Sequence, residues 1–489
     1  MTSGNPENMS KHNKENSDER FPLLSRTQDE KVMTDKYSGA SFHGSVFNLS
    51  CTIVGSGIMS LPATLKMLGL VPGIVLIIIV AFVIEASIEI LLRFSKAGSA
   101  YSYGDAMADA FGRIGKVLLQ ICIIIYNTGS LIVYMIIIGI TSFLPFLLTL
   151  VLLLSKPLFC IVSVVAQKMF VSFSKPEDVL SGSTSKEVHH AGILEGWFGE
   201  HWWTSRVFVL VAVTVIIFFP LMFFESIDSA RYISVISVGL AIVFLLVVIG
   251  VTTFKLVDGS IETPKWFPAV TDSTSFLNLF TAVPVVVFAY ICHYNVHTIQ
   301  NELADSSLIQ GVVRGSLALC AVVYVMTGIF GFLLFGESTY TDLLSNFDTD
   351  IGVPYSSLFN DIVRISYAGH VILVFPTIFL PLRLNLDGLL FPSARPLALD
   401  RKRFVLESVG LVLISLVGAI SVPNIWVAFE FTGATMGGLL AFVFPASITL
   451  KDPHCIATTK DKIVSVSIII LAVVSNFMAI YSNLRSLLS

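Results

Sequence analysis

The sequence predicts an all-α polytopic membrane protein with about eleven transmembrane helices, and three observations predict it. Of the 489 residues, 54% are hydrophobic and 13% charged. The mean hydropathy is +0.82, whereas a soluble domain carries about 25% charged residues. Apolar runs near the ~20 residues needed to cross a bilayer recur near 44–68, 71–92, 117–139, 206–224, 232–254, 275–297, 312–335, 361–384, 404–420, 424–449 and 462–482. The first and the sixth interrupt themselves with helix-breaking residues, so each opens a group of five spans. An inverted five-plus-five repeat produces this spacing, each repeat led by a broken helix. The repeat is read from spacing alone, because the two halves share no convincing residue-level similarity.

Residues 1–40 are polar, mixed in charge and without helical periodicity, which predicts a disordered cytoplasmic tail. They contain no apolar stretch of signal-peptide type. Within them Glu19-Arg20-Phe21-Pro22-Leu23-Leu24 resembles the acidic dileucine signal of endosomal, lysosomal and vacuolar membrane proteins. Glu19, Leu23 and Leu24 would be read by a sorting adaptor, as an address and not an anchor.

Spans 1–3 occupy 41–139. In the first, Val54-Gly55-Ser56-Gly57-Ile58 falls near the middle, where amides that lose helical partners find no water. Such a break is tolerated where protein encloses it or where it lines a cavity. Half-helices meeting near the midplane are how secondary transporters hold small charged solutes; a small-residue packing face gives the same glycines. In the second span Glu85 and Glu89 share a helix face. A central charge costs roughly 2.5–3.5 kcal/mol on insertion scales, so it needs a partner, a shifted pKa or a wet cavity. Glu85, the deeper one, fits either a proton relay or a structural hydrogen bond, and Glu89 can pair with Arg93.

After the third span, 140–177 forms an apolar, Ser/Lys/Phe-rich block, then 178–205 a lumenal loop, and 206–489 holds spans 4–11. The sixth span carries Val283-Pro284 and then Phe288-Ala289-Tyr290-Ile291-Cys292-His293, where proline removes a donor. His293 follows that break and titrates in the range separating cytosol from an acidic lumen, or simply packs between helices; His370 in the eighth span is open to the same two readings. Glu430, beside Thr432-Gly433-Ala434-Thr435, is a gate or packing candidate. Arg93, Lys96, Arg113, Lys116, Arg231, Arg314, Arg383, Arg395 and Arg401 to Arg403 fall on one side. Glu337, Asp342, Asp348 and Asp350 fall on the other, which places the amino terminus in the cytosol.

A pI of about 6.1 and a net charge of -4 argue against a nucleic-acid partner. Cys51, Cys122, Cys160, Cys292 and Cys320 lie in apolar stretches, and Cys455 follows the tenth span, with no metal or disulfide spacing. His189, His190 and His201 sit in a loop without helical ligand spacing, so no metal is expected. A nucleotide-binding loop and a Gly-x-Ser-x-Gly elbow are also missing, which argues against an enzyme and against a cofactor.

Taken in order, Asn48-Leu49-Ser50 with Gly55-Ser56-Gly57-Ile58, Phe288 to His293 with Glu302-Leu303, Gly331-Phe332 to Phe335-Gly336, and Pro376 with Pro381-Leu382-Arg383 resemble the amino acid/auxin permease family. The resemblance runs from residue 40 onward. It is strongest to the plant vacuolar amino acid transporters, then to the animal sodium-coupled neutral amino acid transporters. It implies a core of the leucine-transporter type, amino acid substrates and alternating access. Sodium-coupled relatives carry Asn directly after Asn-Leu-Ser and a hydroxyl before the span 8 proline; here Cys51 and Val374-Phe375-Pro376 stand there. Neither supplies the oxygen ligands a hard cation prefers, which favours a proton as coupling ion. Relatives of the vacuolar type also run from Ile138-Gly139 directly into Asp178-Val179-Leu180, so the block between reads as a retained intron or gene-model error, or else as an extra hairpin.

The expected substrate site is Val54, Gly55, Ser56, Gly57 and Ile58 with Phe288, Ala289, Tyr290 and Cys292. Amides of the first break and the positive end of the following half-helix suit a carboxylate. Carbonyls freed around Ala289 to Cys292, with the Ser56 hydroxyl, suit an ammonium, while Phe288 and Tyr290 wall a side-chain pocket. Tyr290 is also readable as an interhelical packing aromatic. Glu85 and His293 are the expected proton-coupling residues. The predicted function is proton-coupled, sodium-independent transport of amino acids across a vacuolar or other acidic endomembrane, with the plasma membrane as second choice. An amino acid-sensing receptor on the same core, a sodium-coupled transporter, or an inert misprocessed product remain as alternatives. An auxin carboxylate would fit the same first break.

Overall fold

A computed structural model describes residues 39–141, 201–223, 231–422, 428–429 and 432–488. The expected tail with Glu19, Leu23 and Leu24, the block from 142 to 177, the loop as far as 200, and Glu430 lie outside the described residues.

Among the described residues eight helices are long and apolar enough to cross a membrane, and a bent pair makes a ninth. Two shorter apolar helices, Val207–Leu221 and Thr435–Lys451, bring the helical elements to the expected eleven. In order they are α1a (Phe42–Ile53) and α1b (Ser56–Leu68), α2 (Leu70–Ala97), α3 (Tyr103–Thr141), α4 (Val207–Leu221) and α5 (Arg231–Val257). The second group is α6a (Ala282–Tyr290) and α6b (His293–Glu302), α7 (Ile309–Phe335), α8 (Ser356–Leu390), α9 (Arg401–Ser421) and α10 (Thr435–Lys451), followed by α11 (Thr459–Leu488).

Helices overrun the apolar spans at their ends because hydrogen-bonded turns continue into the polar interface. In α3 the overrun is a separate stretch, joined at Gly112, whose φ of +67 only glycine adopts readily. α8 lies at the centre: 94% of its apolar window is buried, against 28% for α11. It packs against α3 and α5, while α7 packs against α1a, α1b, α2 and α5. The outer faces carry what lipid requires: Val71, Val75, Ile78, Ile79 and Phe82 are exposed on α2, and Ile470, Leu471, Val474 and Phe477 on α11.

Two interruptions organise this core. The first helix bends by 51° between α1a and α1b, with Val54 at φ -71, ψ 84 and Gly55 at φ -118, ψ -150. The second lies at Ile291 and Cys292, which leave the helical region between α6a and α6b. Pro284 is not at that break; it lies within the helical run that leads from Leu279–Thr281 into α6a. The two broken helices are joined at one end, where the Gly39 and Ala40 amides each donate 3.0 Å to the Glu302 carbonyl.

Candidate functional site

Gly55 and Gly57 are required by space and not by backbone angle. A Cβ on Gly55 would strike the Tyr134 hydroxyl of α3, and one on Gly57 would lie 2.7 Å from the Ala289 Cα. The two breaks therefore touch, backbone to backbone, at Gly57 and Ala289. The Ser56 amide faces the Tyr134 hydroxyl.

The carbonyls released by the first break are each met by a side chain. The Tyr324 hydroxyl of α7 lies 2.6 Å from the Ile53 oxygen and 2.7 Å from the Ala289 oxygen, sharing its one hydrogen between them. His370 Nε2 of α8 lies 2.6 Å from the Val54 oxygen, and the Tyr367 hydroxyl donates to the Gly55 oxygen at 2.6 Å. Of the span 6 carbonyls expected to be open, Ala289 to Cys292, the Ala289 oxygen is taken by Tyr324 and the Cys292 oxygen accepts from the Asn295 amide at 2.9 Å; just before them, Tyr126 donates to the Phe288 oxygen at 3.1 Å.

Several buried polar atoms of the two broken helices have no protein partner, among them the Ser56 and Tyr290 hydroxyls, the Ser50 hydroxyl and Asn295 Oδ1. Buried polar atoms are almost always hydrogen-bonded, so these atoms keep unused capacity for a polar partner. Tyr290 packs its ring edge-on against Tyr324 at 4.8 Å. Phe288 packs against Tyr126 at 5.5 Å and Phe429 at 5.1 Å. Cys292 is a buried free thiol immediately before α6b. Val54, Ile58 and Ala289 are buried within the same cluster.

The two expected proton carriers are not brought together. Glu85 forms an ion pair with Arg314 of α7 at 2.8 Å, and its side chain is 27% exposed. Glu89 lies 3.7 Å from the same Arg314. The expected Glu89–Arg93 pair is replaced by Arg93–Asp461 at 2.8 Å, because the start of α11 brings Asp461 beside the end of α2. His293 is fully buried on α6b, 3.3 Å from Ser87 of α2, with Nδ1 unpartnered. No group of three or more His, Cys, Asp or Glu side chains that could hold a metal occurs among the described residues.

The sequence reading missed Tyr134, Tyr324 and Tyr367. A signal was present: each is a hydroxyl-bearing ring inside an apolar span, and such a hydroxyl needs a partner when buried.

The family model "Transmembrane amino acid transporter protein" matches residues 38–191 and 188–485. This chain belongs to that family. Among its relatives, amino acid transporter AVT6A of Arabidopsis thaliana is 50% identical over 95% of this chain and 93% of its own length. Amino acid transporter AVT6B of the same plant is 49% identical over 95% and 94%. Sodium-coupled neutral amino acid symporter 2 of Danio rerio is more distant, 25% identical over 84% and 75%. Among solved structures, MhsT in complex with L-phenylalanine superposes with a TM-score of 0.54 at 13% identity, over 90% of this chain and 98% of that one. The nucleobase-cation-symport-1 transporter MHP1, closed on bromovinylhydantoin, gives 0.53 at 10% identity over 93% and 91%. The fold of this transmembrane amino acid transporter is thus the leucine-transporter type, with broken spans 1 and 6, and it is a transporter rather than an enzyme.

Proposed function

We propose that the protein is a secondary active transporter that carries amino acids across an acidic endomembrane, the vacuolar membrane before the plasma membrane, with protons and without sodium. The carrying observation is the pair of orphaned hydroxyls, Ser56 and Tyr290, where Gly57 and Ala289 bring the two breaks into contact. A zwitterion supplies what that junction lacks. Its carboxylate is placed at Gly55 to Ile58, at the positive end of α1b. Its ammonium is placed toward the Ser56 hydroxyl and the span 6 carbonyls, and Phe288, Tyr290 and Cys292 line the space for its side chain.

Sodium independence is supported by the first break. The Ile53, Val54 and Gly55 carbonyls each accept from a neutral or titratable side chain, while Cys51 and the apolar run Val371 to Phe375 before Pro376 supply no hard oxygen ligand from their side chains. The proposed orientation, amino terminus in the cytosol, places the Arg93–Asp461 and Arg403–Asp387 pairs on the cytosolic face. It places the acidic segment between α7 and α8 on the lumenal face. Glu19, Leu23 and Leu24 would bring the protein to its membrane through a sorting adaptor.

The test is a panel of radiolabelled amino acids offered to organelle vesicles, with and without a pH gradient and with and without sodium. Uptake driven by the pH gradient alone is expected. A strict sodium requirement would overturn proton coupling, and no flux of any amino acid would overturn transport itself.

A further inference from the structure

His370 is fully buried in α8 with its ring held between two helices. Nε2 lies 2.6 Å from the Val54 carbonyl oxygen at the first break. Nδ1 lies 2.8 Å from the Ser237 carbonyl oxygen of α5. A neutral imidazole has only one N–H and cannot donate to both oxygens; an imidazolium has two. The Ser237 hydroxyl supplies the alternative. Its oxygen lies 2.9 Å from His370 Nδ1 and 3.1 Å from the His370 carbonyl oxygen. In the neutral form, Ser237 donates to Nδ1 while Nε2–H donates to Val54. In the protonated form, Nδ1–H donates to the Ser237 carbonyl while the hydroxyl turns to the His370 carbonyl. In each form both ring nitrogens have a partner, the Ser237 carbonyl facing Nδ1 favours the protonated one, and the exchange needs only a hydroxyl rotation.

The geometry points to His370 as the residue that carries the co-transported proton, with Ser237 as the hydroxyl that exchanges between its two protonation states. The inference rests on the proton-coupled reading above. A proton adds to the Nδ1 lone pair on one side of the membrane and leaves it on the other; no other bond is made or broken.

The ionisable groups around the ring are few. Tyr367, on the same helix, has its ring centroid 5.5 Å away. Cys51 of α1a reaches the same pair of serines, Ser234 and Ser237, and Tyr134 of α3 lies over Gly55. All three are neutral near pH 7 in their ordinary range. Among the described residues no carboxylate, lysine or arginine touches His370. The missing anion is the carboxylate of the substrate, placed at Gly55 to Ile58, directly after the Val54 carbonyl that His370 holds. Proton and amino acid then favour each other's binding, and linkage makes that effect reciprocal.

The experiment uses the full chain in liposomes, with an entrapped pH dye and labelled amino acid, read across external pH. Wild type is read first: amino acid uptake without accompanying acidification overturns the proton-coupled reading before any variant is made. Given acidification, His370→Gln, which keeps a donor and an acceptor but takes no proton, is expected to lose at least tenfold of the substrate-evoked acidification and the pH dependence of KM. Acidification and KM profile within twofold of wild type would overturn the assignment. Ser237→Ala covers the case in which His370→Gln does not fold. It removes the donor that serves only the neutral ring, so the midpoint of the KM–pH curve should rise by up to about one unit. An unmoved midpoint would overturn the assignment equally.

Discussion

Gly57 and Ala289 are in backbone contact: a Cβ on Gly57 would stand 2.7 Å from both the Cα and the Cβ of Ala289. The neighbour is main chain, so it cannot swing aside as a flexible side chain would. Gly57→Leu should therefore push the two breaks apart, at a cost of about 1–3 kcal/mol, and abolish uptake while the protein still reaches its membrane. Normal uptake by a correctly located Gly57→Leu protein would remove the site from this junction.

The Tyr324 hydroxyl serves the Ile53 and Ala289 carbonyls together, one from each broken helix. Tyr324→Phe keeps the ring and its edge-on packing on Tyr290 but removes the donor shared by the two helices, leaving the Ile53 oxygen only the Gly55 amide at 2.8 Å. A loss of about 1–3 kcal/mol is expected, read as a lower melting temperature of the detergent-solubilised protein. Unchanged melting would mean that the hydroxyl does not tie the helices.

Much of this was legible beforehand. Composition and eleven apolar runs announce a polytopic helical protein, because the bilayer fixes both the length and the hydropathy of a span. Gly55, Ser56 and Gly57 announce the first break once the sixth span shows a second one five spans later, since a small-residue packing face alone would give the same glycines. The partners of that break were not legible. Tyr324, Tyr367 and His370 come from spans more than 260 residues later in the chain, and only the packing of α7 and α8 brings them to it. Pro284 points to the wrong place: the helical run continues through it, and the interruption lies at Ile291 and Cys292. Glu85 looked deep by its position along the span, but position does not give the face, and its face meets Arg314.

Glu85→Gln follows from that pairing. The ion pair is part-exposed, with Arg314 60% exposed, so its loss should cost no more than about 1 kcal/mol. The pH profile of transport should stay in place. A flattened profile in Glu85→Gln would return the proton to α2.

Asp342 lies outside the spans, between α7 and α8, in a segment whose Leu343, Leu344 and Phe347 are fully buried. Burial, with the nearby charge of Asp348, raises its pKa from 3.8 to about 6, against opposing contributions from the Leu344 amide and Arg364. A carboxyl whose folded pKa lies above its unfolded one stabilises the packed segment below the unfolded value. That stability is lost as pH rises through the folded value, between about pH 4 and pH 6. The segment should therefore pack more tightly at pH 4.5 than at pH 7.5, by an amount on the order of 2 kcal/mol. Hydrogen exchange of residues 343–348 at the two pH values, corrected for intrinsic rates, reads this directly. Asp342→Asn should remove the difference; a difference that survives would assign it to another group.

The most direct measurement is hydrogen exchange of the purified protein with and without a saturating transported amino acid, followed at residues 53–58 and 289–293. Slower exchange in both segments is expected if, as proposed, one zwitterion engages both breaks. Exchange unchanged in both segments, in protein that still transports, would contradict a site at Gly57 and Ala289.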